Sequence, residues 1–147
     1  MKMLMDHDQK SGCLNKNKNS DWFTFSNILK LDDQDKMIKM LKTIKFCKKI
    51  YDGSLDNDSP FGFHKNCDKF QGTLVILKSG ESIVGGYNER NWKGFGYKKS
   101  WNSFLFSLND MTSYSVINEE KAIYCTNNDF PCFGCLFMRW LNNESVF

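Results

Sequence analysis

At 147 residues the chain has the length of one ordinary domain, and at that size about two thirds of the unfolded surface is buried on folding. Hydrophobic residues make up 41% and aromatics 15%, with thirteen Phe, a composition that excludes a wholly disordered chain. Twenty Lys and Arg against seventeen Asp and Glu leave a net charge of +3, scattered and too small to indicate nucleic acid.

The first residues, Met1-Lys2-Met3-Leu4-Met5-Asp6, reach an acid before any apolar run long enough for a signal peptide can form. No apolar window approaches the roughly eighteen residues of a membrane span. A cytoplasmic chain is therefore expected, with its six Cys kept as free thiols. Residues 1–20 are polar, rich in Lys and Asn and without a period, and are expected to form a flexible leader. The domain then starts near Asp21, at the cluster Trp22-Phe23-Thr24-Phe25.

From Leu31 the spacing of Met37, Leu41 and Ile44, with Met40 beside them, predicts an amphipathic helix whose first turn Asp32 or Asp33 can cap. A short strand is expected over residues 46–51, ended by Asp52-Gly53. Ser59 followed by Pro60 is a cap and first-position pair, so a second helix is expected there with Phe63, His64 and Cys67 on one side.

Residues 73–78 have no polar alternation, which predicts a central strand covered on both faces. Ser79-Gly80 is a turn candidate that returns the chain through Glu81-Ser82-Ile83-Val84. Gly85-Gly86 inside that second arm marks a bulge or a place where another backbone or ring packs too closely for a Cβ. Residues 88–100 read as a polar loop. Phe104, Phe106 and Leu108 alternate onto one face of a further strand, residues 122–125 form another, and Asn127-Asn128-Asp129 is a turn.

The order Phe63-His64-x-x-Cys67-Asp68, Gly72-Thr73-Leu74-Val75, Gly85-Gly86-Tyr87, Trp92, Phe104-Leu105-Phe106-Ser107-Leu108, Ala122-Ile123-Tyr124 and Phe133-Gly134 resembles the TLDc domain of oxidation-resistance proteins. The resemblance implies an α+β fold, a sandwich of two antiparallel sheets flanked by short helices. It also implies a role in oxidative-stress resistance and, in several members, binding to the vacuolar-type proton ATPase. It brings no catalytic residue and no cofactor, only packing roles for Gly85, Gly86, Tyr87, Trp92 and Phe106. Family members place Pro between the Gly and Thr that open the central strand, whereas Gly72 here precedes Thr73 directly. They also continue past Phe-Gly with further strands, which residues 135–147 do not match. The final strands are thus expected to be missing, with a domain over 21–134 and a divergent tail, as in a truncated copy.

His64, Cys67, Cys132 and Cys135 have a spacing that would supply four zinc ligands if the two elements met. Competing with that is core packing, because His64 and Cys67 share the apolar side of a helix. Cys132-x-x-Cys135 as a redox dithiol lacks the usual strand-to-helix context. No Gly-x-Ser-x-Gly elbow or phosphate loop occurs. Arg90, Trp92, Lys93 and Lys98 mix cations and an aromatic ring in one loop, a composition suited to protein recognition, with core packing of the Trp as the competing use. The function expected is a non-enzymatic protein-interaction module. Its alternatives are a thiol-based antioxidant enzyme and a nucleic-acid-binding regulator.

Overall fold

A computed structural model describes residues 2–6, 23, 26–41, 47–134 and 136–137, with residues 2–6 and 136–137 described by their backbone. The strands are β1 (Lys2–Asp6), β2 (Cys47–Asp52), β3 (Thr73–Ser79), β4 (Ser82–Asn88), β5 (Gly96–Lys98), β6 (Phe104–Ser107), β7 (Thr112–Ser115), β8 (Ile123–Cys125), β9 (Cys132–Phe133) and β10 (Leu136–Phe137). The helices are α1 (Leu31–Met40) and α2 (Pro60–Cys67), with one 3-10 turn over Glu119–Lys121. One antiparallel sheet has the order β2-β1-β3-β4-β6-β7 and the other β10-β9-β8-β5. This is the expected α+β fold with two antiparallel sheets.

The continuous apolar run of β3 is explained by what covers it. Leu74 and Ile76 point into a core shared with Met37 of α1, Leu41 just past its end, Phe106 and Leu108. Val75 and Leu77 point the other way, into a core shared with Phe63 and Cys67 of α2 and with Ile123, Cys125 and Phe133 of the second sheet. Both faces of the strand are dry, so a period of two would have been selected against. Phe106 and Leu108 lie in the first core with Phe104 packed against it, as their alternation predicts.

Local chemistry sets the helix starts. The Ser59 hydroxyl accepts the Gly62 N–H at 3.0 Å, and Pro60 opens α2. At α1 it is Asp33 whose carboxylate accepts the Lys30 N–H, at 3.0 Å. The helix ends at Met40, and Ile44, placed on its stripe by sequence, lies outside the described residues. The β3–β4 hairpin pairs Ser79 with Ser82, so its two loop residues are Gly80 and Glu81, one position later than Ser79-Gly80. Gly80, with φ of 55°, supplies the left-handed first position that such a loop requires.

The leader requires a correction. Within the residues read as flexible, Lys2–Asp6 form β1, an interior strand paired with β2 on one side and β3 on the other. Five residues with two Met around one Leu give no clear alternation, so only the two ladders identify them as a strand. Residues 7–20 lie outside the described residues. After the Phe133-Gly134 turn, Leu136–Phe137 add β10 to the edge of β9. The rest of the tail lies outside the described residues.

Candidate functional site

The residues that carried the family resemblance converge inside the molecule. Gly85 lies against the Val75 carbonyl and the Phe106 ring, so a Cβ there has no room. At Gly86 a Cβ would meet the Phe133 ring edge at 2.6–2.9 Å. The ladder between β3 and β4 runs through both glycines without a slip, which selects close approach over a bulge. Phe133 then packs edge-on to Trp92 at 5.4 Å between ring centres, Trp92 to Phe63 at 5.8 Å, and Phe63 to Tyr51 at 6.0 Å. These aromatic pairs, each in the edge-to-face arrangement that ring quadrupoles favour, make one continuous seam across the second core.

Trp92 was a candidate for protein recognition, and the structure overturns that reading. Its ring is 1% exposed, and its Nε1–H donates to Thr73 Oγ1 at 2.9 Å. Core packing, the competing use and the role the resemblance implies, is what the fold selects, with the hydrogen-bond partner nineteen positions away on β3. Trp101 takes the opposite place, at 59% exposed.

The cysteine and histidine candidates are likewise committed to packing. His64 Nδ1 lies 2.6 Å from the Asp68 carboxylate, and Nε2 lies 2.9 Å from the Asp129 carbonyl, so the ring ties α2 to the loop before β9. Cys67 is fully buried in the second core, where burial pushes its thiol well above the usual range. Burial raises the Cys125 thiol as well, outweighing Lys98 beside it. The Cys132 thiol donates to the Gly134 carbonyl at 3.4 Å. Among the described residues no three His, Cys, Asp or Glu side chains are grouped to hold a metal ion. Cys135, the fourth zinc candidate, lies outside the described residues. A thiol-based enzyme needs an accessible thiolate, and the four described cysteines, Cys47, Cys67, Cys125 and Cys132, are all buried.

Residues 88–103 form a loop and short strand held by their own polar groups. Asn88 bonds the backbone of Arg90 with both ends of its amide, and Arg90 Nε donates to the Lys99 carbonyl at 3.0 Å. Lys98 Nζ donates to the Asn91 carbonyl at 2.9 Å, the Asn91 side chain at 2.7 Å and the Lys93 carbonyl at 2.5 Å. Lys98 therefore braces the loop, while Lys93 is exposed. Within the polar loop expected here, Gly96–Lys98 form β5 on the edge of the second sheet, paired with β8.

Glu89 fastens the other end. Its carboxylate accepts from Ser100 Oγ at 2.9 Å, Trp101 N–H at 3.1 Å and Asn102 Nδ2 at 2.8 Å. Burial raises its pKa, but these three hydrogen bonds with Arg90 alongside outweigh burial and hold it below the ordinary value. A carboxylate with a lowered folded pKa stabilises above its unfolded pKa, and that stability is lost as pH falls through the folded value. Glu89→Gln is expected to cost about 1 kcal/mol at neutral pH, with the deficit closing as acid protonates the wild type. Thermal melts at stepped pH check this. A deficit that persists unchanged below the carboxylate range contradicts it.

No helix among the described residues is long and apolar enough to cross a membrane. No curated protein and no solved structure matches the chain. The family model for the TLDc domain matches residues 19–146, beyond Gly134 where the motifs quoted above stop, and covers nearly the whole sequence. With its signature glycines and rings packed into the two cores on either side of the large sheet, and with the family model spanning residues 19–146, the chain belongs to the TLDc domain family.

Proposed function

We propose that the chain is a non-enzymatic, cytoplasmic TLDc module that serves oxidative-stress resistance by binding another protein, the vacuolar-type proton ATPase. Membership of the TLDc family over residues 19–146 carries this reading. Two features of the molecule support a binding role. The signature side chains are used in packing, which leaves them no part in chemistry on a substrate. The surface loop that follows them is braced from within and presents Lys93 and Phe95 outward.

Purified chain and the soluble sector of the proton ATPase, mixed and resolved by size-exclusion chromatography, test the proposal. Co-elution is expected. Independent elution at every concentration tried overturns the choice of partner.

A further inference from the structure

Three rings meet on the outer side of the second sheet. Tyr97 of β5 pairs with Tyr124 of β8, their ring centres 4.9 Å apart, and Phe95 joins them 6.0 Å from Tyr124. Phe95 and Tyr97 stand on one side because both rings pack on Tyr124. Phe95 is 82% exposed, which returns a large apolar ring to water at a cost the fold does not require. The loop that carries the ring is braced. Gly94 and Gly96 on either side have φ of 107° and 95°, a region that L side chains avoid, and Lys98 ties the loop from below. A large exposed ring on a loop braced by hydrogen bonds has the character of an interface anchor.

The charges around these rings are mostly positive. Lys121 Nζ lies over Tyr97 at 5.4 Å. Lys98 satisfies its ammonium with neutral carbonyl and amide oxygens, so its charge is not cancelled. Neither of these, nor exposed Lys93, is ion-paired with a carboxylate among the described residues. Lys99, by contrast, is paired with Glu120. Acids also stand on the 3-10 turn beside β5, Glu119 and Glu120. A short segment with a few carboxylates can use the ammonium groups of Lys93 and Lys121, with the uncancelled charge of Lys98 behind them.

Resting on the binding-module reading, we propose that the face of Phe95, Tyr97 and Tyr124 is the docking site for a short acidic segment of a partner protein. That segment carries a bulky apolar side chain between its carboxylates. The apolar side chain packs against Phe95 and Tyr124, and the carboxylates meet Lys93 and Lys121, with the charge of Lys98 attracting them from within the loop. The match is one of charge complementarity around an aromatic anchor.

Selection of a random-peptide display library on the full chain, followed by fluorescence anisotropy with the selected peptides, tests the inference. Peptides with Asp and Glu flanking Phe, Trp or Leu are expected, bound more weakly as salt rises. Phe95→Ala should weaken them about tenfold or more without moving the melting temperature, because the ring is not part of either core. Lys121→Gln should weaken them about threefold. Selection of basic or uncharged peptides, equal binding by Phe95→Ala, or preference for a single-stranded oligonucleotide overturns the proposal. If the ATPase binds wild type and Phe95→Ala alike, the docking face fails while the choice of partner stands. If acidic peptides depend on Phe95 and the ATPase does not bind, the face stands and that partner fails.

Discussion

Deletion of residues 1–6 is expected to abolish the cooperative thermal transition. β1 pairs with β2 at five positions and with β3 at four, and it alone connects β2 to the rest of the large sheet. Removing it leaves two unpaired strand edges and frees β2, whose Tyr51 is fully buried in the second core beside Phe63. Roughly one kcal/mol for each lost ladder bond, together with exposure of that ring, is comparable to the roughly 5–15 kcal/mol that holds a domain folded. Circular dichroism melts of the full and shortened chains make the comparison. An unchanged midpoint in the shortened chain means that β2 reaches β3 without β1, and the strand order is wrong.

The second large effect is Gly85→Ala, expected to cost roughly 3 kcal/mol or more and to lower the melting temperature by about 10 °C. The added methyl would occupy the space of the Val75 carbonyl oxygen, which belongs to the paired backbone of β3 and cannot rotate away. The Phe106 ring closes the other side. Gly86→Ala is expected to cost less. Its neighbours are three atoms of one ring, Phe133, at 2.6–2.9 Å, and a ring can tilt where a carbonyl cannot, although its edge-on contact with Trp92 limits the tilt. Paired denaturation curves rank the two variants, and equal costs would contradict this difference between backbone and ring.

Much of this architecture was legible in the sequence because the responsible signals are local. The Ser59-Pro60 pair announces the start of α2 by capping chemistry that involves only its own first turn. The unbroken apolar run of β3 announces cover on both faces. The adjacent glycines announce close packing, although only the structure shows that a carbonyl and two Phe rings provide it. The elements that were missed depend on partners far away in sequence. β1, β5 and β7 are short or polar, with Met, Gly or Ser where an alternating strand would show β-branched residues, and their ladders alone define them.

The same distinction separates the candidate binding residues. Arg90, Trp92, Lys93 and Lys98 were grouped because they are neighbours in the chain. The fold sends Trp92 into the core, turns Lys98 into a brace and leaves Lys93 at the surface. The exposed anchor, Phe95, was visible as an aromatic residue in the loop. Its companion Tyr124 comes from a strand with no polar neighbours to mark it as outward-facing, and the pairing of Tyr97 with Tyr124 across β5 and β8 is what joins them.

The division between a signature that builds the core and a surface that binds is tested most directly by comparing Trp92→Phe with Phe95→Ala. Each is measured by thermal denaturation and by capture of the proton ATPase sector at a temperature where both remain folded. Trp92→Phe is expected to lose the hydrogen bond to Thr73, about 1–3 kcal/mol, and to keep capture. Phe95→Ala is expected to melt with the wild type and to lose capture. The reverse pattern, with binding lost in folded Trp92→Phe and retained in Phe95→Ala, would contradict that division.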